Sequence, residues 1–108
     1  MKRGEVWWVE FDPSVGSEIC KTRPAVIISN DSANRNLARV IVVPLTSNVS
    51  RHYPGEALID FAGKPGKAMA DQIMAADKAR LKNQIGSLSK ADMIAVEGAI
   101  LVQLGMPK

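Results

Sequence analysis

Two runs of consecutive apolar, mostly β-branched residues dominate the hydrophobic pattern of the chain. The runs are Val26-Ile27-Ile28 and Val40-Ile41-Val42-Val43, and each predicts a strand that is buried on both faces. A third strand-like run is closed by Asp12-Pro13, a pair that is typical of a turn. The pattern therefore predicts strands over residues 5–11, about 23–29 and 39–46.

The pattern between these strands and the C-terminus is less regular. Asn30-Asp31-Ser32 offers N-cap chemistry for a helical turn. Residues 68–82 are rich in Ala, Met and Lys, which favours a helix, whereas the neighbouring turns favour a strand. The other expectations are a helical turn over 32–37, loops over 14–22 and 47–55, a strand over 56–61, a turn over 62–67 and a short strand over 85–88.

The last element is a clear amphipathic helix. Ser89-Lys90-Ala91-Asp92 resembles a capping box, with Asp in the place of Glu or Gln. Gly105 followed by Pro107 gives a stop signal. The apolar positions of the helix recur at steps of three and four residues and form one face: Met93, Val96, Ile100 and Leu104. The whole pattern predicts a single β-rich domain over residues 1–108 with a packed C-terminal helix.

The amino-acid composition limits the classes of function that are open to the protein. The net charge of +3 favours acidic partners such as nucleic acid. Two Trp, two Phe and one Tyr are too few for a sheet with several base-stacking platforms. One cysteine and one histidine cannot close a Cys/His zinc site or form an internal disulfide. No segment reaches the roughly 20 apolar residues of a membrane span, so we expect a cytoplasmic protein that uses no membrane.

Candidate site residues lie at the start of one of the two apolar strands and at the end of the other. Arg23 precedes Pro24, so a charged guanidinium stands at the start of an apolar strand. Thr46-Ser47 follows the other strand, and these groups could converge on an anion such as phosphate. The alternative is that Arg23 pairs with Glu18 on the surface and Thr46 only ends a strand; pattern alone favours this alternative.

The order of short motifs resembles the MazF/PemK family of bacterial toxin endoribonucleases. The resemblance spans essentially the full length and favours a strand through about Met74. It rests on Arg3-Gly4-Glu5-Val6-Trp7, Asp12-Pro13, Gly16-Ser17-Glu18, Arg23-Pro24-Ala25-Val26-Ile27-Ile28-Ser29-Asn30, Val43-Pro44-Leu45-Thr46-Ser47, Asp71-Gln72-Ile73 and Ile85-Gly86.

The resemblance implies a mainly β fold with α, an SH3-like small β-barrel of the CcdB/PemK type with a C-terminal helix. It implies a homodimer that cleaves single-stranded RNA at short sequences and needs no metal or other cofactor. The products would carry 2′,3′-cyclic phosphate and 5′-hydroxyl ends. A cognate antitoxin with an acidic C-terminal segment would neutralise the protein.

The resemblance also assigns site residues. Arg23 and Thr46 match the main catalytic groups. Asp71 is a third catalytic candidate, as a base, and the alternatives for Asp71 are an RNA contact or a structural role. Related members use a first-loop histidine and an Arg-x-Asp arrangement, but this chain has Ser17 and Met69 in place of the two cationic residues. The remaining substrate-binding candidates are Ser17, Glu18, Ser47, Asn48 and Gln72, and RNA contacts are expected from loops 14–22, 47–55 and 62–67.

Two other functions stay open at the level of sequence. A CcdB-like gyrase poison shares the fold, but it depends on an aromatic residue near the end of its last helix. Here residues 102–108 contain no aromatic side chain. A non-catalytic RNA-binding member is the second alternative, because both cationic partners of Asp71 are absent.

Overall fold

The computed structural model describes residues 1–107, which form an antiparallel sheet and two helices. The short helix α1 (Asp31–Asn36) lies between two strands, and the long helix α2 (Lys90–Gln103) ends the fold. Two 3-10 turns cover Ala70–Gln72 and Lys78–Arg80. The strands are β1 (Glu5–Glu10), β2 (Thr22–Ile27), β3 (Arg39–Thr46), β4 (Glu56–Phe61), β5 (Lys64–Met69), β6 (Met74–Asp77) and β7 (Leu81–Ser87).

Strand β3 is the centre of the sheet. The strand order is β4-β5-β3-β2-β1-β7, and β6 pairs separately with β3. The first half of β3 pairs with β6, whereas its last residues, Leu45 and Thr46, pair with β5. The prediction of a mainly β fold with a C-terminal helix is confirmed, although within residues 1–107 no strand pairing closes β4 onto β7.

The apolar parts of β2 and β3 are buried on both faces, as the two apolar runs predicted. Because side chains alternate along a strand, β2 sends Val26 into one core cluster and Ile27 into another, and β3 divides Val43 and Val42 in the same way. The cluster that includes Val26 also contains Met93, Val96 and Ala99 of α2. All four strand side chains are fully buried, so these two strands are held from both sides.

Helix α2 begins where the capping pattern predicted. The Ser89 hydroxyl accepts a hydrogen bond from Asp92 N at 3.1 Å. The Asp92 carboxylate does not complete a capping box; it accepts a hydrogen bond from Asp60 N of β4, also at 3.1 Å. The cap therefore joins the helix to the sheet. The predicted apolar face ends early, because Leu104 is the C-cap and is exposed.

Two expectations between residues 62 and 82 are wrong. The turn is confined to Ala62-Gly63, where both residues have positive φ, and Lys64 already begins β5. This geometry is typical of a two-residue hairpin turn. The strand does not run to Met74 either, because a 3-10 turn over Ala70–Gln72 separates β5 from β6. Burial overrides the helical composition, since alanines of this segment pack in the cores: Ala68, Ala70 and Ala76.

The remaining differences are shifts of element ends. Strand β2 stops at Ile27, and β7 is longer than the strand expected over 85–88. The Ser29 hydroxyl, beyond β2, accepts a hydrogen bond from Ile41 N at 3.0 Å. Helix α1 is held to the N-terminal segment because Arg3 N donates to the Asp31 carboxylate at 2.7 Å, and this hydrogen bond lowers the pKa of Asp31.

Candidate active site

Arg23 is an exposed cation at the start of β2. Its Nε donates to the Cys20 carbonyl at 3.3 Å. Within residues 1–107 no carboxylate lies within 4.0 Å of its guanidinium, so the surface pair with Glu18 is not formed. The Glu18 carboxylate instead accepts a hydrogen bond from Val15 N at 2.7 Å. The Nη groups of Arg23 are therefore available to an anion.

Thr46 lies across the sheet from Arg23. The antiparallel register pairs Ala25 with Pro44. Arg23 lies two residues before Ala25 and Thr46 two residues after Pro44, so both lie at the same end of the two strands. Thr46 is half-buried, and its hydroxyl oxygen accepts a hydrogen bond from Asn48 N at 3.2 Å. This bond leaves the hydroxyl proton of Thr46 free to donate to a ligand.

The structure places Arg23, Thr46 and Ser47 around one open cleft of about 420 Å³. One cation and two hydroxyls can bind the oxygens of a phosphate group. Most of the lining is nevertheless apolar. The apolar residues come from four strands and the first loop: Trp8, Ile19, Pro24, Leu45 and Met69. The cleft therefore combines an anion site with a larger apolar surface.

A second cleft of about 330 Å³ contains Glu18, Asp71 and Gln72. Ile19 lines both clefts. The Gln72 side chain accepts a hydrogen bond from Ile19 N at 3.1 Å, so it fixes the segment between the clefts. Asp71 is exposed and lies with Glu18, away from the lining of the cleft that holds Arg23.

The two other substrate-binding candidates lie outside both cleft linings. Ser17 is exposed in the first loop. The Asn48 side chain accepts hydrogen bonds from Ser50 N at 3.1 Å and from Ser50 Oγ at 2.7 Å. Asn48 therefore stabilises the turn after β3, and its carboxamide oxygen is already occupied.

Two features near the site were missed by sequence reasoning. Trp8 lines the cleft of Arg23, and the alternation of Trp7 and Trp8 along β1 could have indicated that one tryptophan faces outward. Lys67 is buried in β5, where its ammonium group lies 3.0 Å from the Glu56 carboxylate and 2.7 Å from the Arg51 carbonyl. No local sequence signal distinguishes Lys67 from the exposed Lys64.

Residues 1–107 offer neither a cluster of metal ligands nor a membrane-spanning helix. No group of three or more His, Cys, Asp or Glu side chains is arranged to hold a metal ion. No helix in this part of the chain has the length and apolar character needed to cross a membrane.

The fold and the cleft together define a small β protein with a cation and two hydroxyls at one open cleft. Residues 2–104 match the family of PemK-like, MazF-like toxins of type II toxin–antitoxin systems. The chain therefore belongs to the MazF/PemK family of type II toxin endoribonucleases.

Full-length relatives agree with this assignment. The chain is 39% identical to endoribonuclease MazF9 of Mycobacterium tuberculosis, with 98% of each protein covered. It is 33% identical to endoribonuclease MazF of Staphylococcus epidermidis, with 98% of this chain and 92% of the relative covered.

Solved structures show the same fold. MazF from Deinococcus radiodurans superimposes with a TM-score of 0.86 at 27% identity, over 98% of this chain and 97% of that one. A mycobacterial endoribonuclease in complex with its cognate antitoxin gives a TM-score of 0.84 at 27% identity, over 100% and 98% of the two chains.

Proposed function

We propose that this MazF-type toxin cleaves single-stranded RNA, including mRNA, at short specific sequences and without a metal ion, and so inhibits translation and growth. The observation that carries the proposal is the cleft in which Arg23, without a carboxylate partner in residues 1–107, lies with Thr46 and Ser47. A single-stranded RNA backbone supplies the anion that such a cleft would bind.

The proposed reaction is attack by the ribose 2′-oxygen on the adjacent phosphorus. The new P–O2′ bond forms and the P–O5′ bond breaks, which gives a 2′,3′-cyclic phosphate and a 5′-hydroxyl. The 2′-hydroxyl loses a proton and the leaving 5′-oxygen gains one, while negative charge builds on the non-bridging oxygens. The reaction therefore needs a fixed cation and hydrogen-bond donors at the phosphate.

Arg23 and Thr46 have the chemistry for these roles. Arg23 would stabilise the phosphorane charge through its planar fork of N–H donors, and Thr46 would donate to a phosphate oxygen, as would Ser47. A guanidinium stays protonated in proteins and is a poor proton carrier, so Arg23 acts here as a cation. Asp71 lies in the neighbouring cleft with Glu18 and Gln72, which favours contact with RNA beside the scissile phosphate.

An antitoxin is the second proposed partner. The mycobacterial endoribonuclease that shares this fold was solved with its cognate antitoxin. We propose that an acidic C-terminal segment of a cognate antitoxin covers the cleft of this chain and pairs with Arg23. The net charge of +3 supports such a partner. The cytosol, where mRNA is translated, is the proposed place of action.

A homodimer is proposed through the outer surface of β4 and α2. A groove of about 540 Å³ lies between these elements. Three large apolar side chains on its lining are exposed, namely Leu58, Ile94 and Val102, with 54%, 59% and 45% of their surfaces accessible. A contiguous apolar surface of this kind is typical of a contact between subunits.

The experiment is cleavage of a long unstructured transcript by the purified protein in excess EDTA. We expect cuts at a short recurring sequence. The 3′ ends of the fragments should not react with a ligase that requires a 3′-hydroxyl, and their 5′ ends should accept phosphate from a kinase. Cleavage that appears only with added divalent metal would contradict the proposal. Intact RNA together with gyrase-dependent DNA breaks would favour the CcdB-like function, and bound but intact RNA would favour a non-catalytic member.

A further inference from the structure

Two consecutive tryptophans of β1 have different surroundings. The Trp7 indole packs against the core cluster around Ile27, and its Nε1 donates to the Glu5 carboxylate at 3.0 Å. Trp8 points to the other face of the strand, and 37% of its surface is exposed. Trp8 lines the cleft that contains Arg23 and Thr46. A large aromatic face is therefore available beside the anion site.

The lining of this cleft has two chemically different parts. Arg23, Thr46 and Ser47 can satisfy a phosphate. The apolar part includes Trp8 and Pro24, which stand opposite each other on β1 and β2. A phosphate gains nothing from these apolar groups. A ligand that carries both an anion and a flat apolar face, such as a nucleotide of single-stranded RNA, would use both parts.

We propose that Trp8 is the stacking platform for a nucleobase next to the phosphate held by Arg23 and Thr46. The proposal rests on the proposed RNA substrate of the cleft. Stacking on an aromatic side chain is tolerant of base identity, because every base has a π-face. Trp8 therefore holds the strand in position so that the scissile phosphate meets Arg23, and sequence selection comes from other residues.

The chain allows this contact to be observed directly, since it has only two tryptophans. In a Trp7→Phe background, Trp8 is the sole indole and its fluorescence reports on its own surroundings. The probe is a short 2′-O-methyl RNA of mixed sequence, which binds but lacks the nucleophilic 2′-hydroxyl. The control probe is an oligomer with the same number of phosphates and no bases. We expect the base-containing probe to quench Trp8 emission and the abasic probe to leave it nearly unchanged.

Substitution separates stacking from simple packing. Trp8→Leu keeps an apolar side chain but removes the aromatic face, and Trp8→Phe restores a smaller one. Affinity for the labelled 2′-O-methyl RNA, measured by fluorescence anisotropy, should fall roughly 5- to 150-fold in Trp8→Leu and much less in Trp8→Phe. Affinity for the abasic oligomer should be the same in both variants and in the parent, and circular dichroism should show that both variants are folded.

Equal affinity of folded Trp8→Leu and parent protein for the base-containing RNA would overturn the proposal. A fall of the same size for both oligomers would also overturn it, because the loss would then not depend on bases. A parent protein that cleaves RNA without any of these Trp8 effects would refute stacking and leave the proposed function standing. Trp8 quenching by RNA that is never cleaved would support stacking and refute the proposed function.

Discussion

At the scale of single residues, the site depends on which hydrogen-bonding groups are already occupied. Within residues 1–107 the Arg23 side chain makes one hydrogen bond, from Nε to the Cys20 carbonyl, and its Nη groups stay available. The Thr46 oxygen accepts from Asn48 N, which fixes the rotamer and leaves the hydroxyl proton for a phosphate. Each residue therefore makes a hydrogen bond within the protein and keeps a donor for a ligand, as the proposed stabilisation of a transition state requires.

Thr46→Val tests the role of this hydroxyl. The substitution keeps the β-branched shape and removes the donor, so we expect the single-turnover cleavage rate to fall about 10²- to 10³-fold, the usual cost of one lost donor to a developing charge. Thr46→Ser keeps the hydroxyl and should retain most of the rate. A folded Thr46→Val protein that cleaves RNA at the rate of the parent would exclude a catalytic hydroxyl at this position.

Residue chemistry was partly visible in the sequence. The sequence predicted a cation at the start of one strand and hydroxyls at the end of another. In the structure, the antiparallel register brings Arg23 and Thr46 to one cleft. The environment of Lys67 was not readable, because its burial depends on Glu56 and on the loop that folds over it. The hydrogen bonding of Asn48 could not be predicted either, because its side chain accepts from Ser50 N within the turn after β3.

At the scale of elements, an ion pair within the β4–β5 hairpin also holds the loop over residues 47–55 through hydrogen bonds. The side chains of Lys67 and Glu56 are each only 9% exposed, and their charged atoms are 3.0 Å apart. Lys67 also donates to the Arg51 carbonyl, and Glu56 accepts from Tyr53 N at 3.0 Å. The pair therefore anchors a loop that the sequence assigned to RNA contact.

Lys67→Met should destabilise the fold by about 3 kcal/mol, because it leaves a buried carboxylate without its cation. The measurement is the free energy of unfolding in urea. In the double variant Glu56→Gln/Lys67→Met no buried charge is left unpaired, so its loss should be smaller than the sum of the two single losses. A loss below about 0.5 kcal/mol for Lys67→Met would show that the pair does not anchor the loop.

Elements with strong local signals were predictable and those set by tertiary contacts were not. The apolar runs located β3 at residues 39–46, and the Ser89 cap located the start of α2. The hairpin that contains Lys64 was missed because proline and glycine in β5 look like turn residues. The 3-10 turn over Ala70–Gln72 interrupts a segment whose alanines carry no periodic signal.

At the scale of the whole molecule, the proposed subunit surface and the cleft of Arg23 lie on different parts of the fold. One core cluster is covered by α2, and the outer surface of α2 and β4 exposes Leu58, Ile94 and Val102. The cleft of Arg23 and Thr46 is built by other strands of the sheet. Subunit contact through the β4–α2 surface would leave the cleft lining untouched. The single-domain extent over residues 1–108 and the homodimer stay predictions.

Ile94→Asp tests the proposed dimer surface. A charge in the centre of an apolar contact should convert a dimer into a monomer, measured as molar mass by sedimentation at micromolar concentration. Leu37→Asp is the matched control, since Leu37 is 50% exposed after α1 and outside this groove, and it should remain dimeric. A parent protein with the mass of a monomer, or an Ile94→Asp variant that remains dimeric, would contradict the assignment of this surface.

The central claim is that Arg23 supplies the cation at the scissile phosphate. The most direct measurement is the single-turnover rate of RNA cleavage in EDTA by Arg23→Ala, with Arg23→Lys as the variant that keeps a charge but loses the planar fork. We expect Arg23→Ala to lose at least about 100-fold in rate and Arg23→Lys to retain an intermediate rate, while circular dichroism shows both to be folded. A folded Arg23→Ala protein that cleaves RNA at the rate of the parent would contradict the claim.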